Sequence, residues 1–239
     1  MWTANVLTLF PQAYPGLLGM SVVGKALRNR IWELNVMNLR DFSYRNGKVD
    51  DIPFGGGSGM VIKPDIVDAA ISSIPDNDLP KYCLSPRGMK FNQNIAFEIS
   101  KQKGAIFVCG RYEGIDKRIE ETCIDEVISI GDYVLNGGEL AALVLMEAIA
   151  RQHKDFIGNE ESLNDSFSDG LLEHPQYTRP KKTPYGNVPE ILLSGNHEKI
   201  NRWKLKESLR ITLKNRPDLI KSKDLSNLEI ELLNEIKDE

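Results

Sequence analysis

Short apolar runs alternate with amphipathic stretches through the first 150 residues. Residues 6–10, 31–37, 81–84, 105–109 and 126–130 are brief, apolar and mostly bounded by Gly, Pro, Asn or Asp, which predicts strands. Between them, helical spacing predicts helices near 22–29, 64–73, 91–101 and 116–122, with Pro64 at a first helical position. A longer apolar helix is expected at 139–150. Strand–helix alternation of this kind predicts an α/β fold with a parallel sheet covered on both faces. The pattern then changes. Residues 153–189 are rich in Asn, Asp, Ser, Gly and Pro without a sustained period, and are expected to be a linker or loop. Amphipathic helices are predicted at 199–214 and 225–236, closing a small helical second domain.

The length of 239 residues and a hydrophobic share of 41% suit one α/β domain with a small second one. With a mean hydropathy of −0.32 and no long apolar run, no membrane span is expected. The first residues lack a basic stretch followed by an apolar segment, so neither a signal nor a transit peptide is expected. Cys83, Cys109 and Cys123 are odd in number and never spaced CxxC, which points away from a disulfide framework or zinc site and toward a reducing cytoplasm. The net charge of −4 speaks against a nucleic-acid partner until its distribution is considered. Residues 179–223 carry 12 Lys+Arg against 4 Asp+Glu, and the remainder 18 against 30. Either a basic patch or a solvated helix face accounts for this asymmetry.

Four loops stand out. Gly55, Gly56, Gly57, Ser58 and Gly59 form a stretch whose glycines allow close backbone approach, yet no Gly-Lys-Ser/Thr follows and the stretch is no phosphate loop. It serves equally as a flexible loop or a ligand contact. The other three, residues 83–88, 109–116 and 130–139, each follow a predicted strand. Ligands in open α/β sheets bind beyond the carboxyl ends of strands, so these three loops are candidates to wall one crevice.

The ordered series Pro-Phe-Gly-Gly-Gly-Ser-Gly-Met (53–60), Leu-Ser-Pro-Arg-Gly (84–88), Cys-Gly-Arg-Tyr-Glu-Gly-Ile-Asp (109–116), Ser-Ile-Gly-Asp-Tyr-Val-Leu-Asn-Gly-Gly-Glu (129–139) and Leu-Leu-Ser-Gly-Asn-His (192–197) resembles the bacterial tRNA (guanine-N1)-methyltransferases of the SPOUT superfamily. The match runs from Trp2 to about Pro217. The resemblance implies a SPOUT-type parallel sheet with a deep C-terminal trefoil knot in a cofactor domain, residues 1–158. It further implies a linker at 159–175 carrying a catalytic Asp, and a small all-helical tRNA-binding domain at 176–239. S-adenosyl-L-methionine is the implied methyl donor. Its implied contacts are Leu84, Ser85, Pro86, Gly110, Tyr112, Glu113, Gly114, Ile130, Gly131, Tyr133, Leu135, Gly137 and Gly138. Three departures from the usual pattern, Ser58, Arg87 and Ala141, are expected to alter loop stiffness without touching a reacting group.

Guanine N1 normally carries a proton, so methylation there needs an acceptor. The resemblance assigns this role to Asp165, in Asn164-Asp165-Ser166-Phe167, and a charge-stabilising role to Arg151. Taken from sequence alone, Asp165 is a turn or cap residue and Arg151 a partner of a helix C-terminus. Implied substrate contacts are the Gly55–Gly59 loop, Arg179, Ser194, His197 and Arg202. Lys181, Lys182, Lys199, Lys204, Lys206 and Arg210 join the arginines as phosphate contacts. His153 and His174 are expected to be structural. The implied partners are the tRNA anticodon stem-loop and a second copy of the chain, in a homodimer with its active site at the subunit interface. The resemblance leaves Mg2+ open; the sequence presents no metal-ligand cluster, and no membrane partner is expected. Two other classes remain: an RNA-binding module without catalysis, and a nucleotide-binding protein using the glycine loop.

Overall fold

The computed structural model describes residues 1–44, 47–75, 78–153 and 165–239. The chain divides into two compact units, Met1–Glu160 and Glu161–Glu239.

The first unit is built on a parallel sheet of β1 (Trp2–Thr8), β2 (Trp32–Asn38), β5 (Lys81–Lys90), β6 (Gly104–Cys109) and β7 (Glu126–Ser129), in the order β2-β1-β6-β5-β7. Every residue of β6 is buried, as a central strand covered on both faces requires. Its side chains alternate between two cores. Ala105, Phe107 and Cys109 join Trp2, Ala4 and Val6 of β1 against α1 (Ser21–Arg28), α3 (Gln93–Ser100) and α5 (Glu139–Ala150). Ile106 and Val108 point the other way, with Leu7 and Leu9, against α2 (Pro64–Ser72) and α4 (Lys117–Cys123). The five predicted strands and five predicted helices of this region are therefore present, and Pro64 does open its helix.

One strand differs instructively. The apolar run of β5 ends at residue 84, but the strand runs on to Lys90. Its ladder with β7 breaks where Leu84 and Met89 both pair with Ile128, so residues 85–88 swing out of the sheet. Pro86, unable to donate to a ladder, lies in this excursion. Gly88 brings the chain back so closely that an added Cβ would lie 2.4 Å from the Val127 carbonyl carbon. Two short strands, β3 (Asp50–Asp51) and β4 (Val61–Ile62), flank the glycine loop and pair antiparallel.

The second unit packs Leu171, Leu209, Leu232 and Leu233 into its own core. Its helices are α6 (His197–Asn215), α7 (Pro217–Ser222) and α8 (Asn227–Asp238). Asn196 caps α6 through the Lys199 N–H (3.1 Å), and Ser226 with Glu229 forms a reciprocal box at the start of α8. The expectation of an all-helical domain needs correction. β8 (Lys182–Thr183) and β9 (Gly186–Asn187) form a hairpin, too short to leave an alternating signal in the sequence. The expected linker also differs where it is described. The Leu172 N–H donates to Thr212 Oγ1 (2.9 Å), Ser208 Oγ donates to the Leu172 carbonyl, and Leu171 is buried, so this stretch is part of the helical core. Residues 154–164 of that polar stretch, including Asn164, lie outside the described residues. Among the described residues no helix is long and apolar enough to cross a membrane.

Candidate active site

The 85–88 excursion of β5 and the loops after β6 and β7 converge on one pocket of about 320 Å3 at one edge of the strands' carboxyl ends. Every residue that the sequence resemblance assigned to the methyl donor lines it, from Leu84 to Gly138. The convergence depends on missing side chains. The Gly138 N–H donates to the Gly110 carbonyl (2.9 Å), and a Cβ on Gly138 would lie 2.9 Å from Cys109 Cα and 3.1 Å from Leu84 Cβ. Only glycine lets these loops touch there. Between Arg111 and Gly114 the chain makes a tight turn, closed by the Gly114 N–H donating to the Arg111 carbonyl (3.0 Å), with Tyr112 held at a φ of 61°. Side chains of Leu84, Ile130 and Leu135 supply apolar faces, while glycine-rich backbone supplies donors and acceptors.

The glycine loop meets this pocket. The Glu113 N–H donates to the Met60 carbonyl and the Ile62 N–H to the Gly114 carbonyl, each at 3.0 Å. An added Cβ on Gly59 would stand 2.6 Å from Glu113 Oε1. Gly55, Gly56, Gly57 and Ser58 are exposed beyond it.

Several lining residues lie outside the implied donor contacts: Cys83, Arg87, Arg111 and Asn136 stand in the three candidate loops without an individual role, and Glu120 lies beyond those loops. Arg87 donates to Glu120 (2.9 Å) at the pocket wall, and Lys117 reaches the same buried carboxylate (2.6 Å). Arg111 donates through Nε to the buried Glu139 (2.9 Å). Arg111 stood inside a motif already singled out, but its partner is 28 residues away and carries no local signal. Burial pushes the Cys83 thiol up to about 12 and raises Cys109 well above the usual thiol range, so neither is a thiolate near neutrality. Tyr14, buried beside Cys109 and Glu139, likewise stays protonated.

Arg151 follows α5 as its cap, with an exposed side chain and a backbone N–H donating to the Glu147 carbonyl (3.1 Å). Asp165 belongs to the second unit. Its carbonyl accepts from the Ser168 N–H (3.2 Å) and Oγ (2.7 Å), and it lines a depression of about 210 Å3 with Glu173, His174, Lys204 and Ser208. His174 there is held below the usual imidazole range by burial, then by Lys204, opposed by Glu173. Ser194 braces the turn into α6, accepting from the Asn196 N–H (3.2 Å), and His197 begins that helix exposed. Arg179, Lys181, Lys182 and Lys199 are exposed. Arg202 is otherwise engaged, bridging Glu231 (2.9 Å) and Glu235 of α8. Lys206 bridges Glu235 and Glu239 in the same way, and Arg210 meets Glu239 and Glu207. Among the described residues no group of three or more His, Cys, Asp or Glu is arranged to hold a metal ion.

Residues 1–222 match the family model described as tRNA (Guanine-1)-methyltransferase TrmD. A protein of Carboxydothermus hydrogenoformans named tRNA (guanine-N(1)-)-methyltransferase is 48% identical, over 96% of this chain and 91% of its own length. Bearers of the same name from Dictyoglomus turgidum (46% identical, 100% of this chain and 98% of theirs) and Pelagibacter ubique (46%, 92% and 97%) are equally extensive matches. The chain therefore belongs to the tRNA (guanine-1)-methyltransferase TrmD family.

Proposed function

We propose that the protein transfers the methyl group of S-adenosyl-L-methionine to N1 of the guanosine at tRNA position 37, immediately 3′ of the anticodon. Family membership supports the reaction, and one observation carries the site: the β5 excursion and the loops after β6 and β7 are pressed into a single pocket at contacts that only glycine permits. The pocket suits the donor. Leu84, Ile130 and Leu135 would offer apolar faces to a flat purine, the neighbouring backbone would supply donors and acceptors for its edge, and Glu113 would offer a carboxylate to the cationic end. Bound there, S-adenosylmethionine supplies an electrophilic methyl on a sulfonium whose leaving group is a neutral thioether.

Asp165 accepts the proton that guanine N1 gives up, a contribution of roughly 10²–10⁴ in rate. Arg151 faces the negative charge that gathers on O6 and fixes the base against it. Arg179, Lys181, Lys182 and Lys199 meet phosphates, which position the RNA without specifying it. The guanine leaves its stack to react, at a cost of about a few kcal/mol, less in an anticodon loop. The sheet's last loops thread as a deep trefoil knot, a rare exception to unthreaded folds. Two copies work together in the cytoplasm, one supplying the pocket and the other Asp165. Exposed Leu140 and Val144 on α5, with exposed Leu17 in the 16–19 turn that contacts α5, support such pairing.

The test incubates purified protein with methyl-labelled S-adenosylmethionine and two tRNA transcripts differing only at the guanosine 3′ of the anticodon. Label is expected in the guanosine transcript alone. Equal labelling of both overturns the specificity, and tRNA binding without any label would favour an RNA-binding module instead.

A further inference from the structure

Glu139 is nearly fully buried at the first position of α5, where a carboxylate suits the helix dipole but is costly unless paired. Its two oxygens are shared. Oε1 accepts from Thr8 Oγ1 at the end of β1 (2.8 Å), and Oε2 from Arg111 Nε in the loop after β6 (2.9 Å). Arg111 makes a second reach, donating through Nη1 to the Asn136 carbonyl in the loop after β7 (3.2 Å). Its guanidinium lies over the Phe10 ring, 4.3 Å from the centroid. Gly137 is what lets it lie there, since a Cβ at that position would fall 2.2 Å from Arg111 Nε.

The main chain of Arg111 matters as much. Its carbonyl closes the turn that presents Tyr112 and Glu113 to the pocket, and it forms an antiparallel bridge with Gly137. That turn holds Tyr112 at a φ of 61°, a conformation that a non-glycine residue keeps only when its surroundings over-determine it. Arg111 is the residue that ties the strained turn to the opposite wall.

We infer that Arg111 is a positioning residue for methyl transfer: clamped on Glu139 and the Asn136 carbonyl, it locks the 111–114 turn and the 130–138 loop into one shape around the donor. The inference rests on the pocket binding S-adenosylmethionine, as proposed above.

The experiment measures S-adenosylmethionine affinity by calorimetry, tRNA affinity without donor, and single-turnover rate at saturating donor. It compares the wild type with Arg111→Lys, Arg111→Met, Glu139→Gln and the double variant Arg111→Met/Glu139→Gln. Arg111→Met and Glu139→Gln are each expected to weaken donor binding about tenfold or more, as the loss of a buried charge-assisted hydrogen bond predicts. Arg111→Lys keeps a cation beside Glu139 and should recover part of that affinity. The double variant should bind no more weakly than Arg111→Met, because both changes break the same clamp. The affinity for tRNA should stay within about twofold, a split that general destabilisation would not produce. Wild-type donor affinity in Glu139→Gln, or losses that multiply in the double variant, would overturn the clamp. Should Glu139→Gln fail to fold, Arg111→Lys decides, since it drops the reach to Asn136 while sparing the buried charge. Unaltered donor binding there defeats the inference. A wild type that binds no S-adenosylmethionine would instead defeat the reading of the pocket itself.

Discussion

The two units use the same chemistry, carboxylates paired with cations, in opposite ways. In the first, Glu139 and Arg111 meet with side chains only 5% and 25% exposed, and the pair fixes two loops against a strand end. In the second, Arg202 and Glu231 meet at 40% and 60% exposure, one link of a ladder that joins α6 to α8 through Lys206, Arg210, Glu235 and Glu239. Buried pairs impose geometry because breaking one strands a charge away from water. Exposed pairs contribute about 0–1 kcal/mol each and are screened by salt. The difference also revises the charge pattern. Four of the cations counted toward a basic surface are already balanced, Arg202, Lys206 and Lys223 by carboxylates of α8 and Arg210 by Glu239 just beyond it, whereas Arg179, Lys181, Lys182 and Lys199 have no carboxylate in salt-bridge range among the described residues.

The contrast can be broken most severely at Asp165. Asp165→Asn is expected to lower single-turnover methyl transfer by about 10²–10⁴ while leaving the affinities for donor and tRNA unchanged. A wild-type rate removes Asp165 from the chemistry. Leu209→Ala opens a cavity in the small helical core and should cost roughly 2–5 kcal/mol of that unit's stability. Calorimetry should show its transition falling while the sheet unit's stays in place; two transitions falling together would mean the units do not melt separately. Gly138→Ala puts a methyl group against Cys109 and Leu84, and should weaken donor binding about tenfold with little change in tRNA binding. Unchanged calorimetric affinity would show that the loops can separate at no cost. Lys181→Ala and Lys182→Ala should each reduce the salt slope of tRNA binding by about 0.7–0.9, and Arg202→Ala by less, its charge being already paired. Equal slopes for all three would erase the distinction between the two sets of cations.

The smallest effect is acid sensitivity. Hydrogen bonds from Arg210, then Lys206, hold the Glu239 carboxyl at about 2, against 4.5 for an ordinary Glu. Its folded value being depressed, its contribution is present above pH 4.5 and lost as pH falls toward 2. Acid titration of the helical unit followed by circular dichroism should become flatter over that window in Glu239→Gln. An unchanged titration would mean that this exposed contact contributes nothing measurable.

Legibility followed the range of the forces involved. Strands β1 and β6 are visible as apolar runs because burial on both faces demands continuous hydrophobicity, whereas the edge strands β2 and β7, only partly buried, show shorter apolar stretches. The hairpin of Lys182–Thr183 and Gly186–Asn187 was not, since two-residue strands with exposed side chains show no period. Residues 171–172 read as linker in the sequence because their polar neighbours mask them; it is Thr212 and Ser208, some 40 positions on, that recruit them to the core. In the site, Tyr112, Gly114 and Gly138 could be named from motif order. Arg87, Glu120 and the Arg111–Glu139 pair required folded neighbours.

Local chemistry along the chain thus determined which segments become strands and helices, where glycines permit tight passage, and which family the protein joins. These depend on side-chain patterning and backbone sterics within a few residues. Tertiary structure alone decided that Thr8, 131 positions from Glu139, shares its carboxylate with Arg111, and that α8 pairs Arg202 and Lys206 of α6 but leaves Lys199 unpaired with any carboxylate among the described residues. Charge pairing depends on distance in space, and distance in space between remote residues is set only when the core has closed.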